Sequence, residues 1–196
     1  MKSKLLALSL VVTVFRVGGA APGATTATAT EPTPFARGTW NLSLAGSYVS
    51  PIRFSEDHLY NFNVAAGYYF WNNNSINLEL QGGYIDQPGN DDDAIMGAIG
   101  LLGRWHFFVR DKWSLFIDGG GGVSYADHVA PITPYPGTNF NFIGKVGGGA
   151  SYELEDHTFL MGGVRYYHFS NGQIHGRDDN PTFDGVQFWA GVMWTW

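Results

Sequence analysis

The chain contains no cysteine. That excludes a disulfide-stapled fold, thiol catalysis, thiolate metal sites and a lipid-modified N-terminal cysteine. Charge is scarce as well: Asp, Glu, Lys and Arg make up 14% of the 196 residues, against about 25% in soluble globular domains, which argues against an ordinary solvated surface. Past the N-terminus no stretch approaches the roughly 18 consecutive apolar residues of a transmembrane helix. Glycine and aromatics are abundant instead, with 27 Gly, 7 Trp, 10 Tyr and 14 Phe. The glycine share is roughly twice the usual 7%. So many large rings bury enough area to offset the entropy of ordering the chain, which argues against intrinsic disorder. Yet the mean hydropathy is only −0.10, and that combination needs an explanation.

The N-terminus opens with Lys2 and Lys4, continues with an apolar run from Leu5 to Phe15, and closes on Gly18-Gly19-Ala20-Ala21. Residues 1–21 therefore read as a secretory signal peptide, with Arg16 as an interruption, and the apolar run falls well short of the roughly 20 residues of a membrane span. Residues 22–37, rich in Thr, Ala and Pro, read as a disordered leader. Removing the signal takes away three basic residues and leaves eight against seventeen acidic ones, a formal charge of −9. Such a balance argues against a basic nucleic-acid-binding surface, and no nucleic-acid partner is expected.

Residues 38–196 carry a period of two. Trp40, Leu42, Leu44, Gly46 and Tyr48 alternate with Asn41, Ser43, Ala45 and Ser47, and Tyr60, Phe62, Val64, Ala66, Tyr68 and Phe70 alternate with Asn61, Asn63, Ala65, Gly67 and Tyr69. The pattern recurs from Ile76, Ile99, Trp113, Phe140, Leu160 and Val186, giving eight predicted strands. In the fourth, Ala94 to Leu102 is apolar on both parities, and a bulge is expected there. The opposite parity carries Glu79, Gln81, Arg104, His106, Asp118, Lys145, Arg165, Gln187 and many glycines. A soluble sandwich would not need aromatics at both ends of its apolar faces, whereas a barrel in lipid does. The expected fold is all-β: an eight-stranded antiparallel up-and-down transmembrane β-barrel of the outer-membrane type. Its narrow interior would be filled by small residues and by Glu79 and Asp118 paired with Lys145 and Arg165. Low mean hydropathy follows because only one residue in two faces lipid. The run of glycines from Gly119 to Gly122 lies inside a strand, lacks a following Lys and helix, and reads as strong curvature, close approach within the barrel or room for a substrate chain rather than a phosphate loop.

Links after strands two, four and six are short, whereas those after three, five and seven are long (86–93, 126–138 and 171–183). Long loops face outward in such barrels, so both termini are expected on the periplasmic side. The chain ends on Trp196 with apolar residues at every second position before it, resembling the C-terminal signature by which outer-membrane proteins reach their assembly machinery. Outer-membrane lipids and that machinery are the expected partners. A homodimer is left open.

One stretch breaks the sorting. On strand seven the lipid-facing parity runs Leu160, Gly162, Val164, Tyr166 and then His168 and Ser170. On strand eight the same parity, read back from Trp196 through Phe188 and Val186, reaches Asp184. The two strands are hairpin neighbours, so these three polar side chains can converge on one external patch at the outer end. A Ser hydroxyl beside an imidazole held by a carboxylate is the arrangement needed for acyl transfer. Candidate oxyanion donors are Asn180, Asn171 and the backbone N–H groups around Gly172. The bland alternative is a polar rim, since strand ends near water carry such residues in any barrel.

The run His168-Phe169-Ser170-Asn171-Gly172, followed by Asn180-Pro181 and Asp184, resembles the signature of the lipid A 3-O-deacylase (PagL-type) family of outer-membrane hydrolases. The resemblance implies an eight-stranded barrel whose Ser-His-acid triad, on the outer surface, hydrolyses the ester-linked 3-hydroxyacyl chain at the 3-position of lipid A. It implies Ser170 as nucleophile, His168 as base, Asp184 as the third member, Asn180 at the oxyanion hole, and lipopolysaccharide as substrate. The best-known members carry Glu where this chain has Asp184, and the loop from Ser170 to Asn180 is slightly longer here. No cofactor and no metal are expected. The rival reading is a non-enzymatic small barrel with a structural, adhesive or stress-response role. Asn90 with Asp91, Asp92 and Asp93 reads as a solvated loop, Arg53 and Arg177 as loop arginines, His175 as a rival base in a loop, and His58 and His106 as rim or lumen residues.

Overall fold

The computed structural model describes residues 33–52, 55–88, 92–131, 137–174, 176 and 178–196. The signal segment, most of the leader, Arg53, Asn90, Asp91, His175 and Arg177 lie outside the described residues. The alternating segments form β1 (Trp40–Pro51), β2 (His58–Trp71), β3 (Asn74–Asp86), β4 (Ala94–Arg110), β5 (Trp113–Ala130), β6 (Thr138–Glu155), β7 (Thr158–Ser170) and β8 (Phe183–Thr195). Each strand pairs antiparallel with its neighbours in the chain, and β1 closes the barrel on β8. The shortest strand has 12 residues, enough for the about 9–11 that a tilted strand needs to cross a bilayer.

Parity sorts the two surfaces. Leu80 is 52% exposed, while its neighbour Gln81 is 5% exposed. An apolar outside around an interior that holds buried Asn, Gln, Arg, Lys and Asp is the inverse of a water-soluble protein and fits lipid as the outer solvent. Aromatic belts cap the apolar band at both ends. At the end holding the short turns the exterior carries Trp40, Trp71, Trp105, Trp113 and Trp196; at the long-loop end it carries Tyr48, Tyr60, Tyr84, Tyr125 and Tyr166. Neighbouring belt rings touch: Trp113 and Tyr152 have centroids 4.7 Å apart, and Tyr48 and Tyr60 5.3 Å apart.

The lumen is filled in three layers. Leu59, Ile85, Met96, Tyr167, Phe169 and Phe183 pack near the long-loop end. Tyr69, Phe116, Phe159, Met161, Trp189 and Met193 pack near the short turns. Between them lie the expected ions, Lys145 with Glu79 and Asp118 with Arg165, joined by Arg104, which also reaches Asp118. Buried charges persist only when paired, and here each has a partner.

Two local expectations change. The fourth strand has no bulge between Ala94 and Leu102, where it pairs with β3 in continuous register. Both parities are apolar there because the inward side chains Ala94 and Met96 belong to the upper apolar layer. The irregularity sits instead at His106/Phe108, beside the turn into β5. Residues 33–37, counted above in the leader, form turns at the barrel mouth, and Phe35 is 1% exposed inside it. Its ring stacks on His106 at 3.9 Å, and His106 hydrogen-bonds Tyr69 and Ser114. The three short turns each use one residue in the left-handed region, Asn73, Asp111 and His157, types that tolerate it. At Gly120 a Cβ would sit 1.9 Å from the Leu101 carbonyl oxygen, so β4 and β5 approach there too closely for any residue but glycine.

Candidate active site

His168 and Ser170 lie two residues apart at the end of β7, so the pleat puts both on one face. Across the ladder His168 is paired directly with Asp184 of β8, which brings their side chains within reach. His168 Nδ1 lies 2.7 Å from Asp184 Oδ1, and its Nε2 lies 3.1 Å from Ser170 Oγ. A carboxylate only accepts, so Nδ1 carries the proton and donates. Nε2 is then the acceptor for the Ser170 hydroxyl. Both side chains of the pair are partly covered, His168 at 37% exposure and Asp184 at 15%. The three residues picked out by parity are thus joined in one hydrogen-bonded relay.

The neighbouring strand leaves space beside it. Gly144 of β6 pairs with His168, and a Cβ there would lie 3.8 Å from the His168 Cβ. A larger side chain would stand against the imidazole. Phe142 pairs with Ser170 and walls the serine on that side.

The loop after Ser170 is tied by its two asparagines. Asn171, fully buried, donates from Nδ2 to the Asp179 carbonyl at 2.9 Å and accepts from the Gln173 N–H at 2.8 Å. Its own N–H donates to Asn180 Oδ1 at 2.9 Å, and Asn180 Nδ2 donates to Thr182 Oγ1 at 2.8 Å. Asn171 therefore spends its side chain and its N–H inside the loop. Of the oxyanion candidates, the Gly172 N–H and the second Nδ2 hydrogen of Asn180 stand apart from these bonds. Gly172 takes φ +63, and a Cβ there would meet the Phe142 ring at 3.3 Å. Glycine is favoured at that point, since the left-handed backbone suits it and a Cβ would press on the Phe142 ring.

The residue that parity passed over is Tyr166. Read as one more belt aromatic, it donates its hydroxyl to Asp184 Oδ1. Its place two residues before His168 on the same face was the available signal. Elsewhere, His58 bonds the Tyr48 hydroxyl at the rim at 2.9 Å. Asp93 accepts from the Tyr84 hydroxyl and from the Gln87 N–H. The described residues contain no cluster of three or more His or acidic side chains suited to a metal.

A closed eight-stranded barrel, apolar outside, with paired ions inside and belted by aromatics, defines an outer-membrane β-barrel protein. The particular branch follows from the sequence as a whole. The profile of the lipid A 3-O-deacylase (PagL) family matches residues 36–192, and the chain belongs to that family. The fold is similar to the crystal structure of the outer membrane enzyme PagL, with a TM-score of 0.57 and 15% identity over 76% of this chain and 97% of that one. It is also similar to Neisserial surface protein A (NspA), with a TM-score of 0.58 and 15% identity over 80% of this chain and 95% of that one. At such identity both similarities speak for the fold alone. No curated protein matches the sequence at a significant level.

Proposed function

We propose that this chain removes the ester-linked 3-hydroxyacyl chain from the 3-position of lipid A, using Ser170, His168 and Asp184. The observation that carries the reading is the relay from Asp184 through His168 to Ser170, in a chain of the lipid A 3-O-deacylase family. His168 Nε2 takes the Ser170 proton as Oγ attacks the acyl carbonyl carbon. Asp184 holds Nδ1–H and stabilises the imidazolium. The oxyanion is met by the Gly172 N–H and by Asn180 Nδ2, with Asn171 fixing the loop that carries them. Collapse expels the sugar 3-oxygen, which leaves with the proton from His168. Water, activated by the same imidazole, then cleaves the acyl-serine and releases a 3-hydroxy fatty acid.

The site's place supports the substrate class. It lies on the exterior, at the long-loop end beside the tyrosine belt. With the long loops outward and the termini periplasmic, that position meets the ester-bearing headgroup region of the outer leaflet. Gly144, the ladder partner of His168, puts no side chain next to it, which suits the approach of an acyl chain from the lipid. Purified protein in detergent is expected to release 3-hydroxy fatty acid from lipopolysaccharide, and Ser170→Ala to abolish release. Persistence of release in folded Ser170→Ala removes the nucleophile assignment.

A further inference from the structure

Resting on that reading, we infer that Tyr166 is a positioning residue for the reaction: its hydroxyl locks the Asp184 carboxylate in the orientation that holds His168. The terminal torsion of an aspartate is soft and broad, so one hydrogen bond from His168 does not define the plane of the carboxylate. Two donors do. The Tyr166 hydroxyl and His168 Nδ1–H both reach Oδ1, the former from two positions earlier on β7 and the latter from the residue directly paired with Asp184. At 15% exposure the carboxylate has lost most of its water and depends on protein donors for its lone pairs. The short arm of aspartate sharpens the need, because its carboxylate must be held in place beside the strand. Tyr166 thereby acts through Asp184 and not on the substrate. Its ring, 43% exposed, also belongs to the tyrosine belt, and only the hydroxyl carries the role proposed.

Tyr166→Phe keeps the belt ring and removes only the hydroxyl, so the barrel is expected to fold, checked by heat-dependent mobility on a denaturing gel. Loss of a hydrogen bond to a charged group predicts a fall in kcat on lipopolysaccharide of about tenfold, with KM changed by less than about twofold. A small fluorophosphonate, which reacts with an activated serine without needing lipid A, is expected to label Ser170 about tenfold more slowly in the variant. In an Asp184→Asn background, measured at single turnover, Tyr166→Phe is expected to add nothing, because its partner charge is gone. An effect on KM alone, an undiminished labelling rate, or full additivity with Asp184→Asn would overturn the inference. The probe also separates the two levels: wild type that labels but leaves lipopolysaccharide intact refutes the substrate and leaves Tyr166 testable. Wild type that does not label refutes the triad and Tyr166 with it.

Discussion

Asp118→Asn probes what holds the barrel closed from within. Asp118 is fully buried, and its two oxygens receive Arg165 Nε at 2.8 Å and Nη2 at 2.7 Å, together with Arg104 Nη2 at 3.0 Å. Both guanidiniums are also nearly buried and lie over rings, Arg104 4.5 Å from the Phe116 centroid and Arg165 4.3 Å from that of Trp189. They cannot turn to water. Asparagine keeps the shape but removes the one negative charge that two cations share, and turns an N–H₂ toward groups that only donate. Breaking a buried ion pair by neutralising one partner costs about 3–5 kcal/mol. Gln187 Oε1, already 3.4 Å from Arg165 Nη1, offers partial relief, so a value near the lower end, about 3 kcal/mol, is expected. In urea unfolding from lipid vesicles, followed by tryptophan emission, that loss lowers the midpoint by about 1 M or more at an unchanged slope. Folded Asp118→Asn should still hydrolyse substrate, since the network is inside and the relay outside. A midpoint shift below about 0.3 M would refute the reasoning that the paired ions are an obligatory filling of the lumen.

Phe35→Ala removes the ring that stacks on His106 in the short-turn mouth. A cost of about 3 kcal/mol is expected in the same unfolding assay, with activity of the folded protein retained, and no loss would mean that the segment before β1 only rests there. Asp184→Asn keeps the size of the side chain but no longer dictates the His168 tautomer. A fall in kcat on the order of 10⁴, with KM near its original value, is expected from steady-state kinetics on lipopolysaccharide.

The barrel was legible because lipid makes every second residue apolar over strands of a dozen residues or more, a signal that survives in β2 and β3 without any other information. The relay was legible for the same reason: His168, Ser170 and Asp184 are polar where that parity demands apolar residues. What escaped reading depends on exact register and on loop path. Arg104 meets Asp118 because the β4–β5 ladder pairs the two directly, a register that alternation alone does not fix. Phe35 is a single ring in a Thr, Ala and Pro segment with no period to betray it. The bonds between Asn171 and Asn180 arise from a loop whose path no spacing rule gives. Tyr166 was hidden in plain pattern, since a belt tyrosine and a carboxylate donor look alike in sequence.

The most direct measurement is a mass spectrum of lipid A from lipopolysaccharide incubated with folded protein, beside the same sample with folded Ser170→Ala. Loss of one 3-hydroxyacyl chain from the 3-position with the first and none with the second is expected. Intact lipid A with both, loss of a different acyl chain, or equal loss with both would contradict the proposed hydrolysis.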